Sequence, residues 1–155
     1  MNPDCPKNVE LERPRNYVEM ISGSESWSRH GIRILNTVPK TPGESNVKVG
    51  APIPLRMEVQ VRRDPQKAPQ CIFAYCWTHI RTQDNPCSLW KEIFLHFNPN
   101  MSSRVGDDEE IKKFVYEGSL VPDFCDRYRI TFLIKWNHVL IWNNAFKKDC
   151  FVDVS

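Results

Sequence analysis

Leu55-Arg56-Met57-Glu58-Val59-Gln60-Val61-Arg62 alternates apolar and polar side chains at every step. Successive side chains of a strand point to opposite faces, so this stretch predicts a strand with one face in a core and the other in water. Pro54 stands at its start, where a missing N–H is tolerated. Further strands are expected on both sides of it. Gly31 to Leu35 is a candidate first strand, and the loop from Pro39 to Gly50 carries Pro42-Gly43. Asp64 to Gln70 is turn-forming. Cys71 to Ile80 follows, with Phe73, Tyr75 and Trp77 on one face, and then a turn at Thr82 to Pro86. Trp90 to Phe97 leads into a polar loop from Asn98 to Glu110. Phe114 to Leu120, Tyr128 to Trp136, Val139 to Trp142 and Phe151 to Val154 complete the set.

Short strands with frequent turns, and no helical period after residue 27, predict an all-β fold. The expected form is an antiparallel two-sheet immunoglobulin-like β-sandwich of seven or eight strands with a partly disordered N-terminal arm. Residues 27–155 form the domain. Residues 1–26 are polar and Pro-containing, with Ser22-Gly23-Ser24, and read as an arm or linker with one short ordered stretch at Tyr17 to Ile21.

A chain of 155 residues suits one domain with one core. Hydrophobic residues at 41% and aromatics at 11% can fill that core, which excludes disorder throughout. The balance of 21 Lys plus Arg against 19 Asp plus Glu leaves a net charge of +2. With Arg62-Arg63 and Lys147-Lys148 as isolated pairs, no strong nucleic-acid binding is expected. No apolar run approaches the ~20 residues of a transmembrane helix, so no membrane partner is expected.

The six cysteines are Cys5, Cys71, Cys76, Cys87, Cys125 and Cys150. Met1 to Arg15 carries Asp4, Lys7, Glu10 and Glu12 and no apolar h-region, which predicts reduced thiols in the cytoplasm or nucleus. Cys71, Cys76, His79 and Cys87 lie close in sequence. On a strand, however, Cys71 and His79 would stand ~26 Å apart while Cys76 points the other way, so core thiols are the simpler reading than a metal site. No cysteine sits beside a basic cluster that would activate it. His96 alternates with Leu95 and Phe97 and is expected to face solvent. The run Asp107-Asp108-Glu109-Glu110 reads as a solvated loop. Neither a nucleophile motif nor a phosphate or dinucleotide loop is present, so a binding module without catalysis or cofactor is expected.

The last third carries the most specific signal. Tyr128, Ile130, Phe132, Ile134 and Trp136 fall on one face, the expected core face, and Arg129, Thr131, Leu133 and Lys135 on the other. A two-residue turn at Asn137-His138 sets Trp136 opposite Val139, Lys135 opposite Leu140, Ile134 opposite Ile141 and Leu133 opposite Trp142. Trp142 then lands on the outward face. It is either a solvent-facing platform for a planar or sugar ligand, or a side chain covered by a loop or the N-terminal arm.

Phe114 to Val152 resembles the C-terminal part of starch- and glycogen-binding modules, above all those in the glycogen-targeting subunits of protein phosphatase 1. Phe114-Val115-Tyr116, Leu120-Val121-Pro122, Arg127 to Ile134 and Trp142-Asn143-Asn144 match successive motifs of that family. The resemblance implies Trp142 as the stacking residue and Asn144 as a hydroxyl partner, with Asn143 in place of the family's Asp. Ala145 to Asp149 lacks the family's Gly and Asn-Tyr ending, and residues 1–110 match nothing in it. The expected ligand-binding set is Trp142, Asn143, Asn144, Lys147, Leu133 and Lys135, and the ligand a glycogen- or starch-like polysaccharide. The alternative is a protein-interaction domain of the same fold, with Trp27, Trp90 and Trp142 as anchors and a protein partner. Arg129-Ile130-Thr131-Phe132 fits a phosphatase-docking pattern, but Ile130 and Phe132 are expected in the core.

Overall fold

The computed structural model describes residues 19–22, 27, 29–41, 43–62, 72–104, 111–136, 139–142 and 149–155. Most of those residues are strand. The elements are β1 (Glu19–Ser22), β2 (Ile32–Val38), β3 (Gly43–Val47), β4 (Ile53–Arg62), β5 (Phe73–Thr78), β6 (Lys91–Arg104), β7 (Ile111–Leu120), β8 (Asp126–Trp136), β9 (Val139–Trp142) and β10 (Cys150–Val154). They form one curled sheet with the order β1-β9-β8-β5-β6-β7-β4-β2, while β10 joins β8 to β3.

The alternation that predicted β4 is realised residue by residue. Ile53, Leu55, Met57, Val59 and Val61 are buried in the core, and β7 pairs with the whole length of β4, from Ile53↔Leu120 to Arg62↔Ile111. Opposite them stand Tyr128, Ile130, Phe132 and Ile134 of β8, also buried, with Trp136 packed at the edge of the same core. Ile130 and Phe132 are fully buried, so the docking-pattern residues are core residues as expected. β6 is shared along the path: Lys91 to Leu95 pair with β5, and His96 to Arg104 with β7.

Three features differ from the expected antiparallel two-sheet sandwich of seven or eight strands. The sheet has ten strands, and it is mixed, because β1 runs parallel to β9 and β3 parallel to β10. β3 is Gly-Glu-Ser-Asn-Val, a sequence of weak strand preference inside the expected loop. The open edge of β10 supplies the ladder that its own residues do not demand. β6 likewise runs on to Arg104, through Asn98-Pro99-Asn100, because β7 continues beside it with a register shift between Asn98 and Ser103. The ordered stretch expected in the arm is β1; residues 1–18, 23–26 and the acidic run 107–110 lie outside the described residues.

At the corner before β8, the Tyr128 hydroxyl donates to the Phe124 carbonyl at 2.8 Å. Near β2, the rings and guanidinium groups of Trp27, Arg33 and Arg62 form a clasp. Both guanidinium carbons lie over the indole, at 4.2 and 4.3 Å, and Arg33 also donates to the buried Gln60 side chain.

Candidate interaction face

The β8–β9 hairpin has the expected register, with Leu133 opposite Trp142 and Lys135 opposite Leu140. The pairing therefore sets the faces as expected. The outward face at this point is not wet, however. Trp142 is 2% exposed, Leu133 and Leu140 are fully buried, and the three join Trp77 in a second apolar cluster on the far side of the sheet from the core. The Trp77 and Trp142 rings meet edge to face at 4.8 Å and 89°. Of the two readings of Trp142, covering is the one realised, and the solvent-facing platform is corrected: an indole held edge-on by another indole offers no free face for stacking.

Lys135 is half-buried. Its ammonium pairs with Glu92 and lies 4.4 Å from the centre of the Tyr75 ring. Glu92 also accepts the Trp77 indole N–H at 3.0 Å. Leu133 and Lys135 thus support the tryptophan cluster. Asn143, Asn144 and Lys147 lie outside the described residues.

Next to this cluster the same face opens to solvent with its aromatic character intact. Phe73 is 46% and Phe94 44% exposed. The register sets Phe94 opposite Tyr75, and their rings meet edge to face at 5.6 Å. His96, two residues on from Phe94, is exposed as expected, and its ring lies 5.0 Å from that of Phe94. Tyr75, Phe94 and His96 form a ridge of touching rings across β5 and β6, and Phe73 stands on the same face of β5, two residues before Tyr75. Phe73 and Tyr75 were assignable to a common face from β5 alone. Phe94 was hidden by Ile93 and Leu95 beside it, which blur the alternation; the polar Glu92 and His96 at two residues on either side are the signal that it faces outward.

Where β5 leaves the sheet, side chains replace the ladder. The Thr78 hydroxyl donates to the Arg129 carbonyl at 2.8 Å, and the Arg129 N–H donates to His79 Nε2 at 3.0 Å. His79 Nε2 is thereby an acceptor, which places the proton on Nδ1 and directs it to Ser88 Oγ at 3.0 Å. The Ser88 hydroxyl in turn donates to the His79 carbonyl at 2.6 Å. The pair is a structural clasp, since the imidazole is a donor toward the serine and cannot take its proton. Burial, then the Arg129 charge, lowers the His79 pKa, and Asp126 opposes this. Trp90 lies over His79 at 4.7 Å between ring centres. The guanidinium of Arg129 lies 5.4 Å from the centre of Trp90. Arg129 also pairs with the buried Asp149 at 3.2 Å, whose pKa burial raises against the opposing pull of Arg129 and Thr131.

The cysteines among the described residues divide into two kinds. Cys76 and Cys150 are buried free thiols, and Cys125 is an exposed one. Burial pushes the Cys76 pKa up and that of Cys150 to about 11, so neither is a thiolate at neutral pH. Cys87 is in a disulfide, which corrects the expectation that all six thiols are reduced. The bond also removes Cys87 from any metal set with Cys76 and His79.

No protein family model matches the chain, and neither does any curated protein. Among solved structures, the chain is similar to AggA, the major subunit of aggregative adherence fimbriae type I from Escherichia coli. The two share 12% identity over 80% of this chain and 95% of that one, with a TM-score of 0.28. A likeness at that level carries no conclusion about fold or function.

Proposed function

We propose that this chain is a non-catalytic protein-interaction module built on an immunoglobulin-like sandwich, and that the aromatic ridge Phe73–Tyr75–Phe94–His96 is its contact surface. Strand order supports the fold. The orders β2-β4-β7-β6 and β5-β8 with β9/β10 match, in chain order, the strand orders ABED and CFG of an immunoglobulin constant-type domain, with β5 also paired to β6 here. The Tyr128 hydroxyl bonded to the backbone four residues upstream, at the corner into the penultimate strand position, is the tyrosine corner of such sandwiches.

The observation that carries the function is the exposure of contiguous aromatic rings on a regular sheet face. Large apolar rings left in water are costly unless a partner covers them, and aromatic side chains dominate contact energies when one does. The polysaccharide reading loses its platform with the burial of Trp142, and the described residues supply no other exposed tryptophan face flanked by amides. The Cys87 disulfide supports an oxidising compartment over the cytoplasmic or nuclear setting expected from reduced thiols.

The test is affinity capture by the immobilised full chain from an extract of its own source. Wild type is compared with Phe73→Ser/Phe94→Ser, alongside sedimentation with insoluble starch and glycogen. Proteins held by wild type and lost by the folded double variant support the ridge. Equal capture by both, or retention on the polysaccharides, overturns it.

A further inference from the structure

At one end of the core, between the β5–β6 connection and the end of β7, the sheet leaves an open groove of about 500 Å³. This volume suits a small molecule. Its lining combines the aliphatic side chains of Ile93, Leu120 and Val121, the last 41% exposed, with a larger polar part that includes Lys91, Asp84 and Asp123. Lys91 projects into it from a core-facing register position, two residues before Ile93. Among the described residues the Lys91 ammonium makes no ion pair. Its hydrogen bonding is a single contact with the Thr82 hydroxyl at the long distance of 3.5 Å. An ammonium has three donors, so that contact leaves donors facing the groove for a further acceptor.

Opposite charge stands close by. Asp123 lines the groove and accepts the Gln83 N–H at 2.7 Å, and Asp84 lines it as an exposed carboxylate. Thr82 and Gln83 are adjacent in the chain. The Lys91 ammonium lies 3.5 Å from the Thr82 hydroxyl and the Asp123 carboxylate 2.7 Å from the Gln83 nitrogen, so the two charges flank neighbouring residues of one turn. A cation and an anion on one groove, beside aliphatic side chains, complement a molecule with the reverse arrangement.

We propose that this groove binds the zwitterion of an α-amino acid with an aliphatic side chain. The carboxylate goes to Lys91, the ammonium to the Asp84–Asp123 side, and the side chain lies on Ile93, Leu120 and Val121. A simple fatty acid would leave the acidic side unmatched. The site is separate from the aromatic ridge, and the fate of either leaves the other standing.

The experiment is a titration of the isotopically labelled full chain, followed by amide chemical shifts. The probes are L-leucine, leucine amide and 4-methylpentanoate, each to about 10 mM, a range that reads millimolar dissociation constants. Saturating shifts at the amides of Lys91, Ile93 and Val121 with L-leucine are expected. Binding at least about tenfold weaker is expected for each truncated probe and for Lys91→Gln, the scale of a lost charge-assisted hydrogen bond, with Lys91→Arg retaining it. The absence of saturable shifts with L-leucine overturns the proposal. So does equal binding of either truncated probe, or undiminished binding by Lys91→Gln; because the probe comparison uses wild type, it decides the matter even where a variant folds poorly.

Discussion

Trp142→Ala tests whether the outward face of the β8–β9 hairpin is a second core or a ligand platform. The indole is 2% exposed and shares its surroundings with Trp77, Leu133 and Leu140. Truncation to alanine removes roughly 200 Å² of buried surface, which at about 25 cal/mol per Å² is ~5 kcal/mol as an upper bound. Loss of the edge-to-face contact with Trp77 acts in the same direction, and relaxation of the four-residue β9 acts against it. Truncations of this kind typically cost ~3–5 kcal/mol, so about 4 kcal/mol is expected. For a chain of this size that lowers the melting temperature by roughly 8–16 °C. The assay is urea unfolding followed by far-ultraviolet circular dichroism, which avoids the altered tryptophan signal. Phe94→Ser is the control, expected to stay within ~0.5 kcal/mol of wild type as an exposed position. A loss below about 1 kcal/mol for Trp142→Ala would refute the burial and return the ring to solvent, where the polysaccharide reading needs it.

Stability should fall on mild acidification through His79. Its folded pKa lies below the ordinary ~6.5, so between those values the unfolded chain holds more protons; the contribution is complete above about pH 6.5 and is lost as pH drops below it. His79→Gln keeps an acceptor for the Arg129 N–H without an ionisation, and its stability from pH 8 to 5 should be flatter than wild type; parallel profiles would exclude the histidine. Gly118→Ala should cost ~1–3 kcal/mol in urea unfolding, because its methyl group would come within 2.9 Å of the buried Leu95 side chain; no loss would mean that Leu95 has room to move. Maleimide labelling followed by mass mapping should modify Cys125 in the native chain, Cys76 and Cys150 only after unfolding, and Cys87 only after reduction. Labelling of Cys87 without reductant would remove the disulfide and with it the case for an oxidising compartment.

What was legible in the sequence was whatever depends on period and on local turn length. β4 and the inward face of β8 each bury one set of alternate residues, so their patterns are strong, and the expected register of β8 against β9 is met without slip. Where the sheet edge decides, the pattern is silent. β3 carries Glu44, Ser45 and Asn46 and forms only because β10 lies beside it, and β1 pairs in parallel with β9 across more than a hundred residues of chain. Neither event leaves a periodic mark on the residues that undergo it.

The open choice over Trp142 has the same origin, and it bears on function. Leu133, Leu140 and Trp142 take the outward face as expected, and the pattern left open whether that face was wet or covered. Period 2 states which side of a sheet a residue takes and says nothing of what lies beyond that side. The apolar set was itself the clue: three large side chains at directly opposed and adjacent positions, with Trp77 brought alongside by β5, make a cluster that removes more surface from water than a lone exposed indole could justify. By the same reasoning the ridge beginning at Tyr75 is a different object. There the rings continue past the point where Trp77 and Trp142 close over one another, and Phe73 and Phe94 are left with nearly half their surface in water. The face is thus buried by its own chain at one end and uncovered at the other. The uncovered end is the part that a partner protein can complete, because contact there extends an apolar surface already packed and needs no new ordering of the sheet beneath it.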